Sequence, residues 1–378
     1  MLKRKDKLDL SIIITIIIFA GISLVTISSA STYISKTMGN LVLKQSIWYL
    51  VGIVFVAIIL HFKNNYLYRQ AVIIYIICCL SLLLLLFFGS PINNSKCWFV
   101  IPGIGSIQPS EFMKISLMLI LAVMINNFRS TYDNPTIKNE AFFIFKTLMI
   151  VLLPSMLTFM QPDTGAVIMY LVIYFGMMFV SGIRLRWFII CLLIGLIGIG
   201  SIIYLYFLES DLFIKFFGTN LFYRLDRIFN WQTGSGLQLE NALASIGSAG
   251  ILGHGYDKTP IYFPESGTDF IFAVFASNFG FLGSALLVAL IFYFDTKLIK
   301  LITKDIALTD KFILVGIISC LVFQQIQNIG MTIGLLPITG ITLPFISYGG
   351  SSLLSYMLMI GIILNIGKDN KHKYKYKF

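Results

Sequence analysis

Charge is what this sequence has least of. Asp, Glu, Lys and Arg make up 12% of its 378 residues, against about 25% in an average soluble domain. Hydrophobic residues make up 57%, and the mean hydropathy is +0.88. Histidine is scarce too. The three present, His61, His254 and His372, stand in unrelated places, and no HExxH, GxSxG or Walker pattern occurs. Metal-dependent hydrolysis, serine acylation and nucleotide hydrolysis therefore lack the residues that carry them. The five cysteines, Cys78, Cys79, Cys97, Cys191 and Cys320, are scattered and four lie inside apolar runs, which excludes a disulfide framework or a CxxC metal pattern. The formal net charge of +11 does not lie along one basic face. It falls in short gaps between apolar stretches, which argues against nucleic acid as a partner and reads as membrane topology.

What the chain has in abundance is long apolar runs. Ten of them, near 10–30, 46–62, 71–89, 111–127, 142–160, 164–182, 187–208, 269–294, 312–336 and 344–366, approach the roughly 20 residues needed to cross about 30 Å of hydrocarbon. The first follows "KRKDK" and has an apolar core longer than that of a signal peptide, so it reads as an uncleaved anchor. With both termini cytoplasmic, 20 of the 28 Lys and Arg residues fall on the inner side, as the positive-inside rule requires. Eight or twelve spans would also keep the termini together. The expected fold is an all-α polytopic membrane protein of about ten transmembrane helices, forming one domain over 1–378.

One connection is long. The segment 209–268, between the seventh and eighth spans, is expected outside the cell. Its stretch "FIKFFGTNLFYRLDRIFNW" reads as an amphipathic helix in the membrane interface, with Arg224 and Arg227 one turn apart. The following "NALASIGSAGILGHG" is apolar but too broken by glycine to span, and reads as a loop folded back onto the membrane surface. An ordinary decorated extracellular loop is the alternative.

Three acids share one setting. Glu111, Asp163 and Asp269 each open an apolar run on the expected outer side, where free N–H groups and the helix dipole favour negative charge. Capping by Ser110, Asp163 and Thr268 explains each one separately. Together they suggest three helix N-termini aimed into one outward cavity, since ionisable groups bordering spans usually line a site or pathway. Lys114 can pair with Glu111 one turn away, or snorkel to the interface. Carboxylates with Lys114, Arg224, Arg227 and Lys258 as cations suit sugar transfer from a lipid-linked diphosphate. On composition alone a transporter fits equally well.

Four stretches carry a resemblance: "IPGIGSIQPSEFMKISL" (101–117), "QPDTGAVI" (161–168), "PESGTDFIFAVFASNFGFLGS" (264–284) and "NIGMTIGLLPITGITLPFISYGGSSLL" (328–354). In order and along the whole chain they resemble the SEDS family of cell-wall proteins, with wording nearer its RodA branch than its FtsW branch. The resemblance implies ten transmembrane helices, a large outer loop between the seventh and eighth, and peptidoglycan glycosyltransferase activity on lipid II in the bacterial cytoplasmic membrane. It implies a class B penicillin-binding protein as partner, with other elongasome or divisome membrane proteins. Position by position, Asp269 matches the family's essential aspartate, Glu111 and Lys114 its QPSExxK pair, and Asp163 the acid of its QPD motif. Ser347, Gly349 and Gly350 fall in the last motif, where substrate contact and small-residue helix packing are both open. A divalent cation, Mg2+ or Mn2+, is a candidate aid to the departing diphosphate.

Three departures stand out. Gly267 occupies the place of a usual histidine, Ser277 and Asn278 replace a common acidic pair, and "QPDTGAVI" shifts a threonine. A lipid II flippase and a catalytically idle scaffold for a penicillin-binding protein are the rival functions.

Overall fold

The computed structural model describes residues 9–31, 40–92, 95–101, 105–219, 222, 226, 229 and 237–368. Each of the ten apolar runs carries a helix: α1 (Leu10–Ser31), α2 (Leu41–Arg69), α3 (Ala71–Phe88), α4 (Pro109–Thr131), α5 (Ile137–Met160), α6 (Thr164–Val180) and α7 (Leu185–Leu208), then, after the short helices α8 (Ser210–Phe217) and α9 (Leu237–Ser248), α10 (Ile271–Ile302), α11 (Leu308–Thr332) and α12 (Gly350–Lys368). Eight are long and apolar enough to cross a membrane, and α6 and α12 are shorter apolar helices. The α3–α4 connection adds a small antiparallel sheet, β1 (Ser90–Ile92), β2 (Ser95–Ile101) and β3 (Gly105–Ile107), with Phe99 opposite Ile107. Cys97 Sγ lies 2.8 Å from Gln161 O, which ties the sheet to the start of α6.

Helix α4 is the hub. Its most apolar window is 72% buried, and it packs on α3, α5, α6, α11 and α12. The run that marks it in the sequence is short because Ser110, Lys114 and Ser116 interrupt it, and all three are buried. Helix α7 is the opposite case, with none of its window buried. Leu192, Ile194, Leu196 and Ile197 are all exposed, as suits side chains solvated by acyl chains. Its ends are what hold it: Trp187 Nε1 donates to Glu140 at 2.8 Å beside Arg184 and Arg186, and the Tyr206 hydroxyl donates to Asp226 at 2.8 Å.

Two expectations change. The tenth run reads as a span from 344, but α12 begins at Gly350, so the motif breaks the run and the helix starts within its last residues. The eighth run is broken at Gly280 (φ 65, ψ −163). At that break Ser277 O accepts from His254 N (2.9 Å) and Asn278 O from Gly255 N (3.0 Å), while Phe281 N donates to Gly250 O and Leu282 N to Ile251 O, both at 3.0 Å. Two intrahelical bonds are thus exchanged for four bonds to the loop, leaving no orphaned backbone group at these positions. Gly253 (φ 80) and Gly280 meet back to back, and a Cβ on either would overlap the other's backbone. The glycine-punctuated stretch is thus held against α10 by backbone pairing. In the preceding stretch the described helix stops at Gly218 (φ 80); Arg224 and Arg227 lie outside the described residues.

Candidate active site

The N-termini of α4 and α6 meet through Gln108, Ser110 and Asp163, and the start of α10 is reached from them across the 339–341 segment. At the start of α4, Gln108 and Pro109 turn the chain into the helix, and Ser110 is already helical. Ser110 therefore does not cap α4. Its hydroxyl donates to Asp163 Oδ2 at 3.0 Å, and Gln108 Nε2 donates to the same oxygen at 2.9 Å. Asp163 Oδ1 accepts from Ala166 N at 3.0 Å, so Asp163 is the N-cap of α6, as expected. Burial raises its pKa above the usual carboxylate value, and the nearby Glu111 charge adds to this, against the lowering by its three hydrogen bonds.

One turn into α4, Lys114 Nζ meets Glu111 Oε2 at 2.7 Å, the i,i+3 pair read from the sequence. Ser355 Oγ donates to the same oxygen at 3.0 Å. The ammonium also sits 5.5 Å over the Tyr356 ring, whose hydroxyl accepts from Gln324 Nε2 at 3.0 Å. Lys114 is only 1% exposed. It therefore pairs with Glu111 instead of snorkelling.

Asp269 is held differently. Thr268 does not cap α10: its hydroxyl donates to Glu265 Oε2 at 2.6 Å, and the N-cap position is Phe270, without a side-chain bond. The carbonyls of three successive residues are each fastened by a donor from elsewhere. Gly267 O accepts from Tyr348 N at 2.9 Å, Thr268 O from Ser347 Oγ at 2.6 Å, and Asp269 O from Asn328 Nδ2 at 2.8 Å. The partly buried Asp269 carboxylate itself accepts none of these bonds. Desolvation by burial, with the Glu265 charge adding, pushes its pKa up to about 7. This is opposite in sign to what a helix N-terminus alone would do, and burial wins here.

The three acids are not equivalent neighbours. Glu111, Lys114 and Asp163 form one cluster. The segment 339–341 lies between that cluster and Asp269: Thr339 O packs on Gly165 of α6, while a Cβ built on Gly340 would stand 3.5 Å from Asp269 Oδ2. Of the other expected site residues, Lys258 is exposed in the loop after α9. Ser347 is buried and also accepts from Leu343 N at 2.8 Å. Gly349 N donates to Gln45 Oε1 at 3.3 Å, and Gly350 packs against the Trp48 indole. The geometry of Ser347, Gly349 and Gly350 is thus internal clamping and packing, the alternative to substrate contact. Gly267, in place of a histidine, contributes its carbonyl to the clamp. Asn328, Gln108 and Gly340 were not singled out in the sequence; the amide-rich "QQIQN" inside an apolar run was the available signal.

Fold and site define a multi-pass helical membrane protein with partly buried carboxylates at the starts of α4 and α6 and a third, Asp269, before α10. The chain belongs to the FtsW/RodA/SpoVE family, described as cell cycle proteins, whose model matches residues 9–372. It is 34% identical over 286 residues to Stage V sporulation protein E of Bacillus subtilis, covering 74% of this chain and 73% of that one. It is 29% identical over 371 residues to the probable peptidoglycan glycosyltransferase FtsW of Haemophilus influenzae, covering 94% and 89%. A solved structure described as "Structural coordination of polymerization and crosslinking by a peptidoglycan synthase complex" superposes with a TM-score of 0.77 at 25% identity, covering 96% of this chain and 98% of that one. The protein is therefore a multi-pass component of the bacterial cytoplasmic membrane.

Proposed function

We propose that this chain is an inverting peptidoglycan glycosyltransferase that polymerises lipid II at the outer face of the membrane, with Asp269 as general base. The observation that carries this is the contrast within one residue: a backbone fixed by Asn328 and followed back by two more clamped carbonyls, and a carboxylate free of any such bond and poised near neutrality. A base is most effective when its pKa lies near the working pH. In its ionised form, Asp269 takes the proton of an acceptor sugar's 4-hydroxyl. The oxygen attacks the anomeric carbon of the donor, the bond to undecaprenyl diphosphate breaks with its electron pair leaving on the diphosphate, and the α-linkage becomes a β-1,4 glycosidic bond. Glu111, Lys114 and Asp163 support the site by pinning α4, α6 and α12 together. Lys258 is the exposed cation among the described candidates for the leaving diphosphate.

The relatives' names as peptidoglycan glycosyltransferases and the family match support this reading. So does the likeness to a synthase complex that couples polymerization to crosslinking, from which we infer a class B penicillin-binding protein as partner. The inside location of the termini belongs to the same proposal and rests on the distribution of Lys and Arg. Among the described residues no three His, Cys, Asp or Glu side chains converge, and the step above is written without a divalent cation.

The test is purified protein incubated with lipid II, with and without its penicillin-binding partner. Wild type is expected to make glycan strands and Asp269→Ala none. Polymer from Asp269→Ala at the wild-type rate overturns the role of the base, and lipid movement across vesicles without any polymer favours a flippase.

A further inference from the structure

Asn328 is fully buried near the end of α11. Its Nδ2 donates twice, to Asp269 O and to Ile341 O, each at 2.8 Å. The orientation of the amide is forced, because the flipped form would set Oδ1 against two carbonyl oxygens. Oδ1 is left buried with no hydrogen-bond partner. An apolar side chain of the same size would avoid that orphaned acceptor, but it would lose both donors. One of the two carbonyls belongs to Asp269. The other belongs to the segment whose Gly340 lies over the Asp269 carboxylate. A single planar amide, with its two N–H bonds at a fixed angle, thus joins the floor of the site to its roof.

We propose that Asn328 is a positioning residue: it sets the separation between Asp269 and the 339–341 segment, and with it the gap in which an acceptor hydroxyl meets the carboxylate. The proposal rests on the glycosyltransferase reading above. Asn328 acts through two backbones and takes no part in the proton transfer. Ser347 and Tyr348 fix the two preceding carbonyls, but among the described hydrogen bonds Asn328 alone joins the Asp269 carbonyl to that of Ile341. General-base transfer needs heavy atoms within about 2.6–3.2 Å, and a misplacement of about 1 Å costs on the order of 10²-fold in rate.

The full chain, purified with its penicillin-binding partner, is compared as wild type, Asn328→Leu and Asn328→Gln. Two quantities are read: the stoichiometry and affinity of lipid II binding, and kcat for glycan formation per bound site. Asn328→Leu is expected to bind lipid II as wild type does while kcat falls about 10- to 100-fold. Asn328→Gln, which keeps both donors one methylene further out, is expected to recover part of the loss. Wild-type kcat in Asn328→Leu overturns the proposal. So does a loss of binding stoichiometry that matches the loss of rate in both variants, or failure of both to yield folded protein, since either makes Asn328 a residue the whole fold needs. Wild type that binds lipid II and makes no glycan overturns the glycosyltransferase reading itself and takes this proposal with it.

Discussion

Asp163 and Glu111 are satisfied through their side chains. Both oxygens of Asp163 accept hydrogen bonds, and Glu111 Oε2 is shared by Lys114 and Ser355. Asp269, across the 339–341 segment, is satisfied through its backbone, while its carboxylate lies beside Glu265, a charge of the same sign. All three open an apolar run, so position along the chain cannot separate them. The use of the lone pairs does. In the function proposed above, the acids committed to neighbours hold helices together, and the acid with free oxygens on an immobilised backbone accepts the proton.

Removing Asp269's carboxylate gives the largest expected effect on this contrast. Asp269→Asn should lower glycan formation by about 10²- to 10⁴-fold while the thermal midpoint in detergent stays near wild type, since no side-chain bond is lost. A variant that polymerises well, or that fails to fold, would remove the distinction between the two sites. The converse prediction concerns Lys114→Met. It strands Glu111 without its partner, a change that costs about 3–5 kcal/mol for a buried pair, and thermal unfolding should record it. The double variant Glu111→Gln with Lys114→Met should recover much of that loss. If Lys114→Met unfolds like wild type yet loses activity, Lys114 belongs to the chemistry and not to the scaffold.

The pH profile sharpens the comparison further. Because burial raises Asp269 to about 7 and the base must be ionised, the rate should rise with pH through that value and level off above it. Glu265→Gln removes a like charge, eases ionisation, and should move the midpoint down by less than about one unit. A flat profile from pH 6 to 8 would contradict the assignment. The smallest effect is expected from Gly340→Ala. Its φ of +70 disfavours any side chain by about 1–2 kcal/mol, and the new methyl would stand in van der Waals contact with Asp269 Oδ2. Weakened binding of the acceptor should exceed the loss of stability, read as KM against the unfolding midpoint.

Much of the scaffold was legible because hydropathy is a property of segments: each of the ten runs carries a helix. The boundaries of α4 were less so, since a buried ion pair lowers local hydropathy at a central position. The break at Gly280 was not legible, because a glycine within an apolar run also fits an unbroken membrane helix. At the site, the Glu111 and Lys114 pair and the Asp163 cap were each one of two readings that spacing left open, and both are present. The Thr268 and Ser110 caps did not survive, since both hydroxyls found side-chain carboxylates instead. Asn328 was hidden because its two partners are backbone carbonyls, 59 and 13 residues away in the chain, and carbonyls leave no trace in residue identity. Asp269 itself owed its prominence to resemblance; residue chemistry alone left it level with the other two acids.

The backbone stitch at Gly253 and Gly280 makes two distant segments depend on each other. Ile251, Leu252, Phe281 and Leu282 around it are exposed and apolar, and a backbone group left unpaired in apolar surroundings costs several kcal/mol. Neither 250–255 nor 277–282 satisfies its own N–H and carbonyl groups there, so the loop after α9 and the broken turn of α10 hold their shape only as one unit.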